Sequence, residues 1–224
     1  MDTLLLEIGA EEIPAGYIQP ALDAMARNLL QRLDAARIDH GEAHTCGTPR
    51  RLTVIVDQVA PKQQTVTEQL LGPPEKVAFD GTGQPTMAAV KFSEKAGVAV
   101  SRLTVVDTDK GRYLSARKTS RGQATLKLLK TILPEVILAT PFPKSMRWAD
   151  LSIHFARPIH SIVALLGGKV VSFTLGGRIK SGRRTTGHMF MNPGKVSLAS
   201  PDQYEDALLA ANVVVDIDRR RRMT

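Results

Sequence analysis

Residues 140–190 read TPFPKSMRWADLSIHFARPIHSIVALLGGKVVSFTLGGRIKSGRRTTGHMF, and two apolar runs inside them, Ser161 to Leu166 and Val170 to Leu175, are separated by Gly167-Gly168. Two β-capable segments joined by a Gly-Gly link predict a hairpin, because both turn residues can take the positive φ that a tight primed turn requires. Six cations flank this ribbon: Lys144, Arg147, Arg157, Lys180, Arg183 and Arg184. They sit among Pro, Gly and Ser rather than at helical spacing, and are either a surface prepared for a polyanion or the ordinary charge of loops that meet water.

Upstream of the hairpin, Thr3 to Ile8 reads as a short buried strand, ended by Gly9 and the acidic turn Glu11-Glu12-Ile13-Pro14. Ile18, Leu22, Met25, Leu29 and Leu33 recur on one helical face. Pro20 is tolerated only in a first turn, which predicts a helix from near Tyr17 to about Ile38. Leu52, Val54 and Val56 alternate within a half-buried strand, Arg51 to Asp57, closed by Pro61. From Lys62 the composition shifts to Gln, Thr, Pro and Gly, a partly extended crossing into a second subdomain. There Met87 to Ala96 predicts a helix with Gly97 as its C′ residue, and Leu103 to Val106 with Tyr113 to Lys118 a hairpin. Gln123 to Ala139 predicts a largely buried helix, kinked or restarted at Pro134.

Downstream, Ser200-Pro201-Asp202-Gln203 combines an N-cap Ser, an N1 Pro and an N3 Gln, a helix start. Val213 to Val215 reads as a strand, and the basic run from Asp218 as a helix that continues into a longer protein. Strands and helices alternate without a βαβ rhythm, which predicts an α+β fold with a mixed or antiparallel sheet and packed helices. Two interlocked subdomains are expected: residues 1–60 with 144–224 as a strand-helix-hairpin unit, and 61–143 as an inserted helix-hairpin-helix unit.

The 224 residues, 43% of them hydrophobic, can bury a sizeable core. The formal charge of +8 favours nucleic acid, an anionic membrane or an acidic protein surface as partner, and the 4% aromatic content makes contact with phosphate more plausible than with bases. The lone Cys46 leaves no partner for an internal disulfide and no thiolate set for zinc, pointing to a reducing compartment. The leucine run near the N-terminus is interrupted at once by Glu7, and no apolar run approaches the roughly 20 residues of a membrane helix, so a cytoplasmic location away from membranes is expected.

GxxxxGK[ST], a GxGxxG opening a helix, HExxH and GxSxG are all missing from the sequence. His154 and His160 have no carboxylate or thiol at ligand spacing and read as ordinary hydrogen-bonded histidines. His188 either contacts phosphate or caps a turn. Glu7, Glu11 and Glu12 cluster at a strand end, where acid/base chemistry is common, but Glu11 and Glu12 also precede a helix whose N-terminus they would favour. Arg50-Arg51 either bind an anion or form a solvated strand entrance, and the Arg219 to Arg222 run is a phosphate contact or an exposed helix face. Met146 and Trp148 read as core anchors.

The segments LLLEIGAEEIPAGYIQPAL, GTPRRL, AFDGTGQPTMAAVKF, PFPKSMRWADLSIHFARPIHSIVALLGGKVVSF, SGRRTTGHMF and SPDQYEDALLAANVVVD, in this order, resemble the β subunit of the bacterial heterotetrameric glycyl-tRNA synthetase from residue 4 to about 216. Two departures are visible: Met189 stands where the family usually has Arg, and Ser161 where it often has Trp. The resemblance implies part of a ligase that activates glycine with ATP and transfers it to tRNA(Gly). It implies no cofactor in this chain, ATP being used by the whole enzyme, and no catalytic residue or metal ligand here, the aminoacylation site belonging to the α subunit of an α2β2 assembly. Lys144-Ser145-Met146 is similar to a class I signature loop, but the nucleotide-binding half such a loop needs is not readable.

What the resemblance implies for this portion is tRNA binding and contact with the α subunit, with Arg50, Arg51, Lys144, Arg147, Arg157, Lys180, Arg183, Arg184 and His188 as the tRNA-binding candidates. A purely structural assembly domain, or an editing-like hydrolytic domain using Glu11 or Glu12, are the alternatives. Family β subunits carry HD-type and anticodon-binding domains further on, which this sequence does not contain.

Overall fold

The structure, a computed structural model, describes residues 1–148 and 153–223. Strand β1 (Asp2–Ala10) is apolar at consecutive positions because both its faces are covered. Leu4, Leu6 and Ile8 serve one core, while Leu5 lies on the opposite face in another. Helix α1 (Ala15–Ala35) buries Ile18, Leu22, Met25, Leu29 and Leu33, the face its spacing predicts. It starts earlier than Tyr17, so Pro20 lies inside the helix beyond its first turn. β2 (Ala43–Thr48) and β3 (Arg51–Val59) form an antiparallel hairpin, and AHTCGT lacks the alternation that would have revealed β2.

Two compact units are present, Met1–Gln63 with Gln123–Thr224, and Gln64–Gly122. The smaller begins with β4 (Val66–Pro74), a strand where the sequence suggested only an extended crossing. Helices α2 (Glu75–Ala78) and α3 (Met87–Ala96) follow, then β5 (Thr104–Thr108) and β6 (Gly111–Ser120), giving an antiparallel sheet in the order β4-β6-β5. Thr86 caps α3 by accepting from the Ala88 amide at 3.3 Å, and Gly97 ends it with φ 68°. Ala78, Ala89 and Leu114 form the small core of this unit.

Helix α4 (Thr125–Leu138) belongs to the larger unit, which corrects the expected insert of 61–143. The reason is burial: Leu129, Ile132, Leu133, Val136 and Ile137 join the core of α1 and β1. The neck is closed within the larger unit, where the Gln63 amide donates to Gln123 O at 3.0 Å and Thr125 Oγ1 to Ala60 O at 2.6 Å.

After α4 come β7 (Met146–Arg147) and β8 (His154–Phe155), then β9 (Ile159–Leu166), β10 (Lys169–Val170), β11 (Thr174–Leu175), β12 (Ile179–Gly182), β13 (Arg184–Thr186) and β14 (Lys195–Ser197). The chain closes with α5 (Tyr204–Ala210) and α6 (Ile217–Met223). The Gly-Gly hairpin is present as β9–β10, with Gly167 at φ 52°, but its second arm stops at Val170. The apolar residues beyond it turn away, and Leu175 in β11 pairs with β12. The main sheet runs β11-β12-β9-β1-β3-β2, with β12 parallel to β9 and β1 antiparallel to both its neighbours.

Helices α1 and α4 cover one face of this sheet, and Leu198, Tyr204, Leu208, Val213 and Val215 cover the other. Val213 to Val215 is an extended segment rather than a ladder strand, holding β2 through Gly47 N–H to Val215 O at 3.0 Å. Trp148 packs against the main core, whereas Met146 is 42% exposed and anchors nothing, because β7 with β8 forms a separate two-stranded ribbon. No helix among the described residues is long and apolar enough to cross a membrane.

Candidate functional site

The Cα register places Glu7 opposite Thr53 on one side and Val163 on the other, on the face of the sheet that meets Tyr204. A carboxylate at the centre of a sheet is tolerable only with partners. The Tyr204 hydroxyl donates to Glu7 Oε2 at 2.6 Å and bonds Thr53 Oγ1 at 2.8 Å. Arg51 Nε lies 3.7 Å from the same carboxylate oxygen, while among the described residues Glu7 Oε1 has no partner at hydrogen-bond geometry. Burial pushes the Glu7 carboxyl above its usual range, against the opposing pull of Arg51 and of the Tyr204 hydroxyl. Burial also drives the Tyr204 phenol well above its ordinary value.

Above this network the ends of several elements enclose a cleft of about 970 Å³. The C-terminal end of β1 contributes Gly9 and Ala10, the β2–β3 turn Thr48 to Arg51, and the start of β9 His160 and Ser161. Strand β13, the loop after it, Lys195, residues 212–214, Arg220 and Met223 complete the wall, and Glu12 adds a carboxylate to it. A Cβ at Gly9 would lie 2.3 Å from Ser161 Oγ, its cross-strand partner, so the two strands approach closely here.

Arg50, Arg51, Arg184 and His188 line this cleft; Lys144, Arg147, Arg157, Lys180 and Arg183 do not. Arg51 is buried and donates through Nη2 to Thr186 O and, at 3.1 Å, to Thr186 Oγ1, tying β3 to β13. It therefore clamps β3 to β13, whereas the sequence reading placed it among the tRNA-binding candidates. Arg183, another of those candidates, is held in a similar way. Its guanidinium donates to Leu198 O at 3.3 Å and Gly168 O at 3.0 Å, leaving it committed to backbone.

Arg157 likewise donates to Glu12 O at 3.1 Å and Ala156 O at 3.0 Å. Arg50 pairs with Glu11 and Glu12, each at 3.4 Å, and His160 meets Glu11 at 2.9 Å. Those ion pairs, not the N-terminus of α1, are what the two carboxylates serve. Lys144 and Lys180 are exposed, and Arg147 is exposed in β7. Arg220, from the terminal basic run, donates to Val214 O at 2.6 Å, and burial lowers its pKa.

His188 takes the turn-capping role. Its Nδ1 accepts from the amides of Phe190 at 3.2 Å and Met191 at 3.1 Å, which places the proton of the neutral ring on Nε2. The exposed cations of the cleft that meet no carboxylate among the described residues are Arg184 and Lys195. They share the outer face of the β13–β14 ribbon, since Arg184 opposes Ser197 and Thr186 opposes Lys195, while Thr185 between them is buried. Sequence reading missed Lys195, because a lone lysine after Gly194 carries no signal until β13 and β14 pair. Among the described residues no three His, Cys, Asp or Glu side chains converge as a metal site would require.

A family model described as "Glycyl-tRNA synthetase beta subunit" matches residues 4–224. The chain is 54% identical over 223 residues to the glycine--tRNA ligase beta subunit of Desulfatibacillum aliphaticivorans, covering 100% of this chain and 32% of that protein. Similarity to the protein of the same name from Desulforapulum autotrophicum is 48% over 221 residues, covering 99% and 32%. For Myxococcus xanthus it is 47% over 218 residues, covering 97% and 31%. The chain thus spans about a third of the length of these curated relatives.

Proposed function

From the premise that the chain belongs to the glycyl-tRNA synthetase beta subunit family, we propose that it serves a ligase joining glycine to tRNA(Gly) with ATP, and that its own part is to hold the tRNA backbone. One observation carries this reading: Arg184 and Lys195 project from the same face of a two-stranded ribbon beside the cleft and meet no carboxylate among the described residues. Cations already paired with acids offer little to a phosphate; these two are available. Phosphate contacts fix position without reading sequence, which suits a module that docks one RNA while the chemistry is done elsewhere.

The test is a titration of the chain with tRNA(Gly) across a range of salt concentrations. Each phosphate contact adds about 0.9 to the slope of log affinity against log salt, so Arg184→Ala with Lys195→Ala lowers that slope by about two. An unchanged slope in a folded double variant rejects the reading.

The relatives' names also designate a beta subunit, and contact with an alpha subunit in an α2β2 assembly in the cytoplasm is a second role we propose. Exposed Leu71, Val77 and Met87 of the smaller unit favour it, being large apolar side chains left to solvent. Replacing all three with Ser and measuring affinity for isolated alpha subunit tests it; unaltered affinity removes this surface from the contact.

A further inference from the structure

The loop joining β13 to β14 is built to hold an aromatic ring in solvent. The Gly187 amide donates to Gly194 O at 3.0 Å, Asn192 N–H to His188 O at 2.9 Å, and the Phe190 and Met191 amides to the His188 ring. A Cβ at Gly187 would stand 2.3 Å from Asn192 O, so this closure requires a glycine. At the tip Phe190 is 82% exposed, while every other aromatic side chain of the protein is buried or half-buried. A surface aromatic fixed by its own backbone has already lost the freedom that binding would otherwise remove.

We propose that Phe190 is a stacking platform for an unpaired base of single-stranded RNA whose phosphates rest on Arg184 and Lys195. The proposal rests on the tRNA reading above and specifies which kind of RNA element the cleft takes. Phe190, Arg184 and Lys195 line one cleft and belong to one hairpin, so ring and cations move as a unit. A cationic ribbon with an aromatic beside it is the combination that single strands need, since their bases expose a π-face. A duplex presents the same phosphates but keeps its bases stacked inside, and gives Phe190 nothing to cover. Charge complementarity favours RNA over a polypeptide, because Arg184 and Lys195, which line the cleft with the ring, meet no acidic partner among the described residues.

The experiment titrates the full chain with two labelled two-stranded RNA duplexes of identical stem, one blunt and one carrying a short single-stranded 3′ overhang, followed by fluorescence anisotropy. The overhang RNA binds about tenfold tighter than the blunt one. Phe190→Ala abolishes that preference and leaves affinity for the blunt duplex unchanged, whereas Phe190→Trp retains it. Arg184→Ala with Lys195→Ala weakens both RNAs alike. Equal affinity for the two RNAs, or a preference that survives Phe190→Ala, overturns the stacking role while leaving the phosphate reading intact. Binding of neither RNA overturns both. Self-association of the chain that Phe190→Ala abolishes, with no overhang preference, overturns the proposal in favour of a protein occupant.

Discussion

Tyr204→Phe removes one oxygen atom from the centre of the larger unit and leaves the ring volume unchanged, so its effect isolates the polar network. The lost hydroxyl donates to Glu7 Oε2 at 2.6 Å and bonds Thr53 Oγ1 at 2.8 Å. A bond to an ionised carboxylate contributes about 1.5–3 kcal/mol and a neutral one about 0.5–1.5, so the variant loses about 2–4 kcal/mol at a pH where Glu7 is ionised. With a urea dependence of about 2 kcal/mol per molar, the midpoint falls by about 1–2 M. Trp148, the single tryptophan, packs against the core of this unit and provides the fluorescence signal. The pH dependence supplies a sharper check. Glu7 already titrates above its ordinary value, and the Tyr204 bond is one of the influences holding it down. Without that bond the folded state of the variant retains the Glu7 proton to higher pH than the wild type does. Stability then falls more steeply as pH rises above the ordinary carboxylate range, and the cost of the substitution grows with pH. A midpoint within experimental error of the wild type, or a cost equal at pH 5 and pH 8, would refute the reasoning.

Glu7→Gln removes the titration itself: wild-type stability declines as pH rises from 4.5 through the raised folded value, and the variant should show a flatter profile in the same urea measurements. Arg183→Ala should cost about 1–2 kcal/mol through lost bonds to Leu198 O and Gly168 O, whereas Arg184→Ala should change stability by less than about 0.5 kcal/mol, as thermal unfolding of both variants will show. Cys46 is buried, and burial with the nearby Glu205 and Glu7 charges pushes its thiol up to about 12, so a thiol reagent should leave the native protein unmodified at pH 8 and label it fully in denaturant. Rapid labelling of the native state would contradict that placement.

The elements legible in the sequence were those whose periodicity is local. α1 announces itself through five apolar residues on one face, and the Gly167-Gly168 turn through its dipeptide. Strands β2 and β4 were hidden because AHTCGT and VTEQLLGPP lack alternating apolar residues; pairing with β3 and β6 makes them strands. The limit was harder at the site. Arg50 and Arg51 are adjacent in sequence, yet one pairs with carboxylates at the rim and the other is buried against a strand 135 residues away. Arg183 and Arg184 diverge in the same way, one on backbone carbonyls and one in solvent, because successive side chains of extended chain face opposite directions. The 4% aromatic content argues against a stacking surface, and the stacking proposed for Phe190 rests on a single ring that an average composition does not register.

The central position of β1 in the sheet sets a timetable for synthesis. Its Leu4-Leu5-Leu6 run is synthesised ahead of both its partner strands, and β3 can pair with one edge soon after. The other edge belongs to β9, whose residues Ile159–Leu166 lie about 150 positions downstream. At roughly 5–20 residues per second that edge stays open for about 8–30 s while the whole smaller unit is being made. An apolar strand with an unpaired edge is a template for other nascent chains during that interval. The growing chain is thus most exposed to misassembly before Leu166 has been translated, a window that holdase chaperones would have to cover.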